Sequence, residues 1–433
     1  MSLRILAGLL ALAPVLALAQ TGVTEMVEEN PVEQALDEAR RAEAAALEAL
    51  YAAHQRVLEL GNPGQPGLAR AASDGKIVNG VLTSLFPTVG AFLKGEGGEG
   101  MGAWCTGTLI GCRTFLTARH CVDSERDPTR PAAADEVRNY RVFLQHGGLF
   151  GVDAIKTHPD YDFPFADLAV VSLGEAVDGI EPTRLNTGVV EADTAATIVG
   201  YGRSGGSRTD YGLKRMGAVR TSACADDERD LVCWDYDSAD APPGTDSNTC
   251  NADSGGPVLV DDADAAAGTR VLAGVVSGGT RADCLRRDHS YNVDVRAFAR
   301  WVEQQTDDPL GPERCGTLPA VGGGGVSVLS ASGKLDASRT GAHLFFPVPP
   351  GTARVRLAMN AQDDDGRIDF DLFARHGDRP STTVADCRGT GSSQFAFCEF
   401  ADPAPGNWFV WVKRNRGSGL YQLTATLFEA QAP

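Results

Sequence analysis

Three residue types that together perform nucleophilic catalysis occur in separate short motifs of the chain. Ser254 lies in the stretch Asn251 to Pro257, where flanking glycines and a preceding aspartate are typical of a sharp, exposed turn. His120 lies beside a cysteine, and Asp167 opens an apolar strand. A serine hydroxyl is a poor nucleophile until a histidine takes its proton, and a buried carboxylate orients that histidine. These residues therefore indicate covalent acyl-transfer chemistry.

Each candidate has an ordinary alternative. The serine motif also suits a plain surface loop, because Asp, Ser, Gly and Pro are common turn residues. Asp160 and Asp162 rival Asp167, although their Pro-flanked loop does not lead directly into a strand. Other histidines lack a comparable context: His146, His158, His289 and His343. The three candidates are favoured because residue type, context and chain order are met together.

The elements that must position these residues are predicted to be β-strands. From Ile77 to about Cys315, short apolar runs alternate with turns, as in Val271 to Val276, and 50 glycines favour turn-rich β structure. Helical periodicity appears only near the end of this region, where Phe298 to Val302 predicts a short closing helix. The fold class is therefore predicted to be all-β.

Length and composition limit the remaining possibilities. A chain of 433 residues predicts two or three domains, and the net charge of −18 argues against a nucleic-acid partner. Ten cysteines predict disulfides and an oxidising compartment. We expect a monomer, and we find no apolar run long enough for a membrane span.

The amino-terminal segment predicts export. Arg4 precedes an apolar run, and Ala17-Leu18-Ala19 is a small-x-small cleavage site, so residues 1–19 are interpreted as a signal peptide. Residues 20–76 are interpreted as a helical propeptide and linker, since Asn30 and Pro31 suit the start of a helix. This helix either docks on the rest of the chain or acts as a spacer.

The order His120, Asp167, Ser254, together with Ile77-Val78-Asn79-Gly80 directly after Lys76, resembles the trypsin/chymotrypsin family of serine endopeptidases. The resemblance implies two six-stranded antiparallel β-barrels over residues 77–315, with the active site in the cleft between them. It implies Ser254 as nucleophile, His120 as general base and then acid, and Asp167 as the orienting carboxylate.

The resemblance also implies an oxyanion hole made by the backbone N–H groups of Ala252 and Ser254. The family usually has glycine where this chain has Ala252, and a Cβ restricts the backbone there. Cleavage between Lys76 and Ile77 would free an amino group that pairs with Asp253, so a zymogen is expected. If the substrate pocket does not favour lysine, a separate activating protease must cut after Lys76.

The family's S1 pocket, which binds the substrate side chain before the cleaved bond, would have Asn248 at its floor and Ser277 and Gly279 on its wall. A neutral amide at the floor predicts a pocket that is not strictly tryptic, although Asp246 and Asp288 are near enough in sequence to supply charge. The same resemblance implies disulfides between Cys105 and Cys121, Cys250 and Cys284, and Cys224 and Cys233. Cys112 is an addition to the family's pattern, and Cys315 is its expected partner.

The carboxyl-terminal third predicts a separate module. Residues 316–326 form a Gly-rich linker, and residues 327–433 contain strand patterns that predict a β-sandwich. Asp369 to Phe373 and Pro405 to Val410 resemble the bacterial pre-peptidase carboxyl-terminal domain, with Cys387–Cys398 as its bridge. Asp363-Asp364-Asp365-Gly366 permits a weak calcium interpretation, but a solvated acidic turn is favoured.

Together these features predict a secreted serine endopeptidase that hydrolyses protein or peptide substrates through an acyl-enzyme and needs neither metal nor other cofactor. An extracellular or periplasmic location in a Gram-negative bacterium follows from the resemblance of the tail. The alternative is a catalytically weak or inactive binding protein or adhesin that acts through its carboxyl-terminal module.

Overall fold

The computed structural model of the chain describes residues 24–26, 77–96, 99–122, 134–225, 228–237, 241–262, 269–362, 368–391 and 393–430. The predicted signal peptide, almost all of the propeptide, Lys76 and the acidic turn at 363–366 lie outside these ranges. Strand β1 (Thr24–Met26) pairs antiparallel with a strand of the carboxyl-terminal region. Within the described ranges, no helix has the length and apolar character that crossing a membrane requires.

The first half of the region from Ile77 forms a closed six-stranded antiparallel barrel in the order β3-β4-β5-β8-β7-β6. Burial alternates along β7, because successive side chains of a strand point to opposite faces. The strands are β3 (Val89–Glu96), β4 (Glu99–Leu109), β5 (Thr114–Thr117), β6 (Tyr140–Leu144), β7 (Gly148–Thr157) and β8 (Ala169–Leu173). A 3-10 helix (Arg119–Cys121) follows β5, and helix α1 (Ala134–Val137) precedes β6.

The second half was expected to form another six-stranded barrel, but it forms an antiparallel sheet of seven strands in the order β11-β14-β13-β12-β9-β10-β2. The additional strand is the two-residue β2, which pairs with β10 at the edge of the sheet. The strands are β2 (Val81–Leu82), β9 (Ala195–Gly200), β10 (Arg215–Arg220), β11 (Leu231–Tyr236), β12 (Pro257–Asp261), β13 (Arg270–Gly279) and β14 (Asp288–Asp294).

Helix α2 (Val295–Gln304) closes this region and is longer than the predicted segment. The Asp294 side chain accepts a hydrogen bond from the Arg296 N–H, which satisfies a backbone donor at the start of the helix. Val295, Phe298 and Val302 are buried at helical spacing, so one face packs on the core.

The carboxyl-terminal region contains two antiparallel sheets that share one buried apolar core. One sheet has the order β1-β16-β21-β18-β19, and the other has the order β15-β22-β17-β20. The strands are β15 (Val326–Leu335), β16 (Gly341–Val348), β17 (Thr352–Ala361), β18 (Asp369–His376), β19 (Cys387–Gly389), β20 (Phe395–Ala401), β21 (Gly406–Arg416) and β22 (Gly419–Glu429).

The carboxyl-terminal sheets pack directly on the first barrel and on the seven-stranded sheet. Phe395 is buried against Phe143 and Tyr201, with ring centroids 4.9 and 6.5 Å away. The Gln422 side chain accepts a hydrogen bond from the Lys214 N–H at 2.7 Å and donates to the Lys214 carbonyl at 3.2 Å. The two regions therefore share apolar and polar buried contacts.

Candidate active site

The pairing of β5 with β8 brings His120 and Asp167 together. Thr117 lies opposite Ala169 in this antiparallel pair, so the residue three beyond Thr117 and the residue two before Ala169 emerge at the same end of the barrel. His120 Nδ1 lies 2.6 Å from Asp167 Oδ2, and the His120 N–H donates to Asp167 Oδ1 at 2.9 Å. The fully buried carboxylate thus holds both the ring and the backbone of the histidine.

The second sheet completes the surroundings of this carboxylate. Ser277, near the end of β13, donates its hydroxyl to Asp167 Oδ2 at 2.6 Å. The Thr106 N–H donates to the Ser254 carbonyl at 2.9 Å, which fixes the serine loop against the first barrel. Ser254 forms no hydrogen bond with His120 in the described residues; such bonds commonly tighten only when substrate binds.

An aromatic side chain packs against the histidine ring. Phe163 is 47% exposed and meets His120 edge-on, with 5.8 Å between ring centroids. It also contacts Tyr291 edge-on at 5.9 Å. A Cβ at Gly278 would lie 2.7 Å from the Tyr291 ring and 3.0 Å from the Phe163 ring. Glycine at 278 thus leaves room for this aromatic pair beside the cleft.

The residues before Ser254 form a tight turn. The Asp253 N–H donates to the Cys250 carbonyl at 2.9 Å, and Ala252 has φ +71°. Asn251 has no positive φ, so the geometry is that of a type II turn with Ala252 at the position that glycine usually occupies. The N–H groups of Ala252 and Ser254 donate no hydrogen bond to any described residue, so both remain available to a ligand.

Ile77 and Asp253 are both buried. Because Ile77 is still joined to Lys76, it has no free amino group to pair with Asp253. The Val78 N–H donates to the Asn248 carbonyl at 2.8 Å, which anchors the segment that starts at Ile77. The Asp253 carboxylate accepts from the Gly202 N–H at 2.8 Å and from the Cys250 N–H at 2.9 Å. Among the described residues no cationic side chain forms a salt bridge with it, and burial raises the pKa of Asp253 to about 7.

We expect the uncut precursor to lose stability as pH rises between about 4 and about 7. The unfolded chain releases the Asp253 proton near the ordinary pKa of 3.8, whereas the folded chain releases it near 7. Stability from this group is therefore complete below pH ~4 and is lost as pH rises through ~7, a change of roughly 4 kcal/mol. Urea unfolding of the Ser254→Ala precursor at several pH values measures this change in the free energy of unfolding.

The matched comparison for this measurement is Ser254→Ala combined with Asp253→Asn, which removes the titrating group. We expect the difference in unfolding free energy between the two precursors to change with pH in that window. A difference that stays constant from pH 4 to pH 8 would contradict a protonation equilibrium at Asp253.

Asn248 is fully buried, and its amide group is saturated with hydrogen bonds. Its Oδ1 accepts from Trp234 Nε1 at 3.0 Å and from the Ser290 hydroxyl at 2.7 Å. Its Nδ2 donates to the Cys284 carbonyl at 3.1 Å and to Asp288 Oδ2 at 2.8 Å. The amide therefore orients its neighbours instead of presenting free dipoles to a ligand.

Asp288 places a carboxylate beside this amide and beside Gly279. A Cβ at Gly279 would lie 2.8 Å from each Asp288 carboxylate oxygen. The Arg281 N–H donates to Asp288 Oδ1 at 2.8 Å, and the Thr280 hydroxyl donates at 3.2 Å. Asp288 is 2% exposed, and no described cation forms a salt bridge with it.

The structure contains five disulfides, and their pairs are the five that the sequence analysis expected. They are Cys105–Cys121, Cys112–Cys315, Cys224–Cys233, Cys250–Cys284 and Cys387–Cys398. In the described ranges, both side-chain groups with metal-ligand spacing contain cysteines of these bonds. Oxidised cysteines supply no thiolate, so these groups are not metal sites.

Sequence reasoning did not identify Phe163, Thr106 or Arg203, which all contact the candidate site. Arg203 donates to Asn251, and the Thr106 hydroxyl donates to the Ala252 carbonyl at 2.8 Å. None of the three lies in a motif whose residue types point to chemistry. Only the pairing of segments distant in sequence brings them to the turn.

Comparison with known proteins assigns this arrangement to a family. The family described as Trypsin matches residues 83–302. A vitellin-degrading protease of Bombyx mori is 29% identical over 218 residues, which cover 46% of this chain and 75% of that protein. A collagenase of Hypoderma lineatum is 26% identical over 251 residues, which cover 54% of this chain and 88% of that protein.

One solved structure completes the comparison. Neuropsin, a serine protease expressed in the limbic system of mouse brain, is 19% identical, with a TM-score of 0.39. The alignment covers 51% of this chain and 95% of neuropsin.

Proposed function

The chain belongs to the trypsin family of serine endopeptidases, and on that premise we propose that Ser254 is its nucleophile, His120 its general base and acid, and Asp167 the carboxylate that orients His120. The observation that carries the proposal is the buried Asp167 carboxylate, whose Oδ2 contacts both His120 Nδ1 and the Ser277 hydroxyl. This contact holds the imidazole in the tautomer that leaves Nε2 free to accept a proton.

The reaction proceeds by two acyl transfers. Ser254 Oγ bonds to the carbonyl carbon of the substrate peptide while its proton passes to His120 Nε2, and the resulting oxyanion accepts hydrogen bonds from the Ala252 and Ser254 N–H groups. His120 then protonates the leaving amine as the C–N bond breaks. Water attacks the acyl-enzyme by the same route, releases the acid and restores Ser254.

We further propose that the chain is exported as a zymogen. Five disulfides favour an oxidising compartment, in agreement with the predicted signal peptide. Cleavage after Lys76 creates an ammonium group on Ile77. Asp253 is a buried carboxylate without a salt-bridge partner in the described part of the chain, so an ammonium brought to it would form a compensated ion pair.

The carboxyl-terminal sheets are proposed to be the β-sandwich of a pre-peptidase carboxyl-terminal domain. The support is the shared core of the two sheets together with the motif resemblance of β18 and β21. The domain boundary is proposed to lie in the linker at residues 316–326.

The proposed substrates are proteins or peptides with lysine or arginine before the cleaved bond. The expectation of a pocket that is not strictly tryptic considered Asn248 as the floor. The amide of Asn248 is saturated with hydrogen bonds, and the adjacent buried Asp288 has no salt-bridge partner among the described residues. A buried carboxylate is stabilised by a cationic partner that enters the pocket. Lys76 is itself a lysine before a bond to be cleaved, so a protease that cuts after lysine, including this enzyme, can perform the activating cleavage.

Replacing Asp288 by alanine is expected to lower kcat/KM for substrates with lysine or arginine at this position by roughly 10²–10³-fold, because the cation loses its buried partner. Substrates with leucine or phenylalanine there should change far less. Asp283→Asn, in the exposed part of the same loop, is the matched control. Equal losses for cationic and apolar substrates would contradict a specificity role of Asp288.

The experiment that tests the proposed function starts from the purified precursor and its Ser254→Ala variant. After limited digestion with trypsin, intact mass should reveal a species that begins at Ile77. That species should react with a serine-directed phosphonate and cleave peptides only when Ser254 is present. A correctly cut species that neither labels nor cleaves would instead identify a protease-fold binding protein, for which the presence of Ala252 in the oxyanion turn is the favouring feature.

A further inference from the structure

We propose that Arg203 is a positioning residue that holds the peptide between Asn251 and Ala252 in the orientation needed for an oxyanion hole. This inference rests on the proposed function, since it concerns how the same site is kept competent. Arg203 does not touch the reacting atoms; it acts through Asn251.

The need for such a residue arises from the alanine at position 252. In a type II turn the third residue has a positive φ, which glycine adopts freely and alanine adopts at a cost. The alternative type I turn, with a negative φ at this residue, suits alanine. Interconversion flips the peptide that joins Asn251 to Ala252, so the Ala252 N–H would turn away from the cleft.

The backbone of Arg203 opposes this flip. Its N–H donates to the Asn251 carbonyl at 3.0 Å. That carbonyl and the Ala252 N–H belong to one planar trans peptide, so they point in opposite directions. Binding of the carbonyl by Arg203 therefore directs the Ala252 N–H away from Arg203, and this N–H donates to none of the described residues.

The guanidinium of Arg203 strengthens this anchor. Its Nε and Nη2 donate to Asn251 Oδ1 at 3.1 and 2.8 Å, Nη2 also donates to the Ala282 carbonyl at 2.7 Å, and Nη1 donates to the Gly206 carbonyl at 2.9 Å. One planar group thus joins three loops around the turn. Lysine cannot reproduce this pattern, because its ammonium is a single point rather than a fork of donors.

The peptide on the other side of Ala252 is fixed independently. The Ala252 carbonyl accepts from the buried Thr106 hydroxyl at 2.8 Å, and that hydroxyl accepts from the Tyr201 N–H at 3.0 Å. This contact orients the peptide between Ala252 and Asp253, which a flip between turn types leaves nearly unchanged. The peptide between Asn251 and Ala252 is therefore the one that depends on Arg203.

The test is Arg203→Met in the cleaved enzyme, since methionine keeps an unbranched stem and removes the guanidinium. We expect kcat to fall about tenfold, the ratio set by the cost of a left-handed alanine, with KM changed less than about twofold. Affinity for a peptide boronate, which forms a tetrahedral adduct, should fall in parallel. Affinity for the reduced-amide analogue of the same peptide, which lacks the carbonyl oxygen, should not.

Ala252→Gly supplies the decisive comparison, because glycine adopts a positive φ without cost. When Arg203→Met is combined with Ala252→Gly, kcat should fall by less than about threefold relative to Ala252→Gly alone. In the enzyme that keeps Ala252, Arg203→Lys should resemble Arg203→Met. Arg184→Met, which removes an exposed arginine paired with Asp262 on another face, is the matched control and should leave kcat unchanged.

An equal loss of kcat with and without Ala252→Gly, no loss at all, or a change in KM alone would overturn the inference. If Arg203→Met does not fold, Asn251→Ala removes the acceptor of the same guanidinium and should show the same dependence on Ala252→Gly. An enzyme that is inactive before any of these changes would refute the proposed function instead.

Discussion

Replacing Ser254 by alanine is expected to lower kcat of the cleaved enzyme on the order of 10⁶-fold, while KM stays nearly constant. The hydroxyl is the only group that forms the covalent bond to substrate, so the remaining rate would come from the oxyanion donors and from binding alone. Stopped assays with long incubation and a fluorogenic peptide measure the residual rate.

His120→Ala and the double variant sharpen this prediction. The two residues act as one unit, so we expect either single loss and the double loss to be about equal. His376, which lies on β18 of the carboxyl-terminal sheets and contacts the Pro405 carbonyl, gives the matched control His376→Ala, with kcat unchanged. Losses that multiply in the double variant, or a residual rate of about a tenth, would contradict the assigned roles.

Removing residues 326–433 is expected to destabilise the catalytic region severely, so that little folded enzyme is recovered. The deletion would expose the apolar cluster around Phe143 and Tyr201, which Phe395 now covers. It would also remove Gln422, whose side chain bonds both the N–H and the carbonyl of Lys214. Buried backbone groups left without partners each cost about 1–3 kcal/mol.

Ionisable side chains buried between the catalytic region and the carboxyl-terminal sheets also make the catalytic region depend on those sheets. Arg356 Nη1 donates to the His146 and Asp178 carbonyls at 3.1 and 2.6 Å. Burial, with a contribution from nearby Lys214 and Arg356, lowers the pKa of His146 to about 3, so the ring stays neutral. Burial likewise lowers the pKa of Lys214 to about 7. His146, Lys214 and the β17 residue Arg356 are all buried where the catalytic region meets the carboxyl-terminal sheets.

Calorimetry of the full chain should therefore show one cooperative transition for both regions. Phe395→Ala should lower the unfolding free energy by about 3–5 kcal/mol and move that whole transition, because it creates a cavity at the contact. Phe345→Ala, in a partly exposed aromatic pair on the other sheet, is the control and should cost less. A fragment of residues 77–325 with wild-type kcat and melting temperature would contradict this dependence.

The sequence by itself predicted the residues of the candidate site and the all-β character of the chain. His120, Asp167 and Ser254 lie in motifs whose residue types predict their chemistry, and strand periodicity is local, so β8 and β13 lie where apolar runs predicted them. The helix was underestimated in length because its polar outer face hides the periodicity of Val295 and Phe298.

Tertiary structure alone decided what surrounds those residues. Four contacts join segments that are far apart in the chain. They are the hydrogen bonds of Asn248, the position of Asp288 beside Gly279, the hydrogen bonds from Arg203 to Asn251 and the packing of Phe395 on Phe143 and Tyr201. Side-chain alternation states which face of a strand is buried, but not which distant segment covers it. Specificity, oxyanion geometry and the contact with the carboxyl-terminal sheets depend on those long-range pairings, because buried polar groups must find their partners across the folded chain.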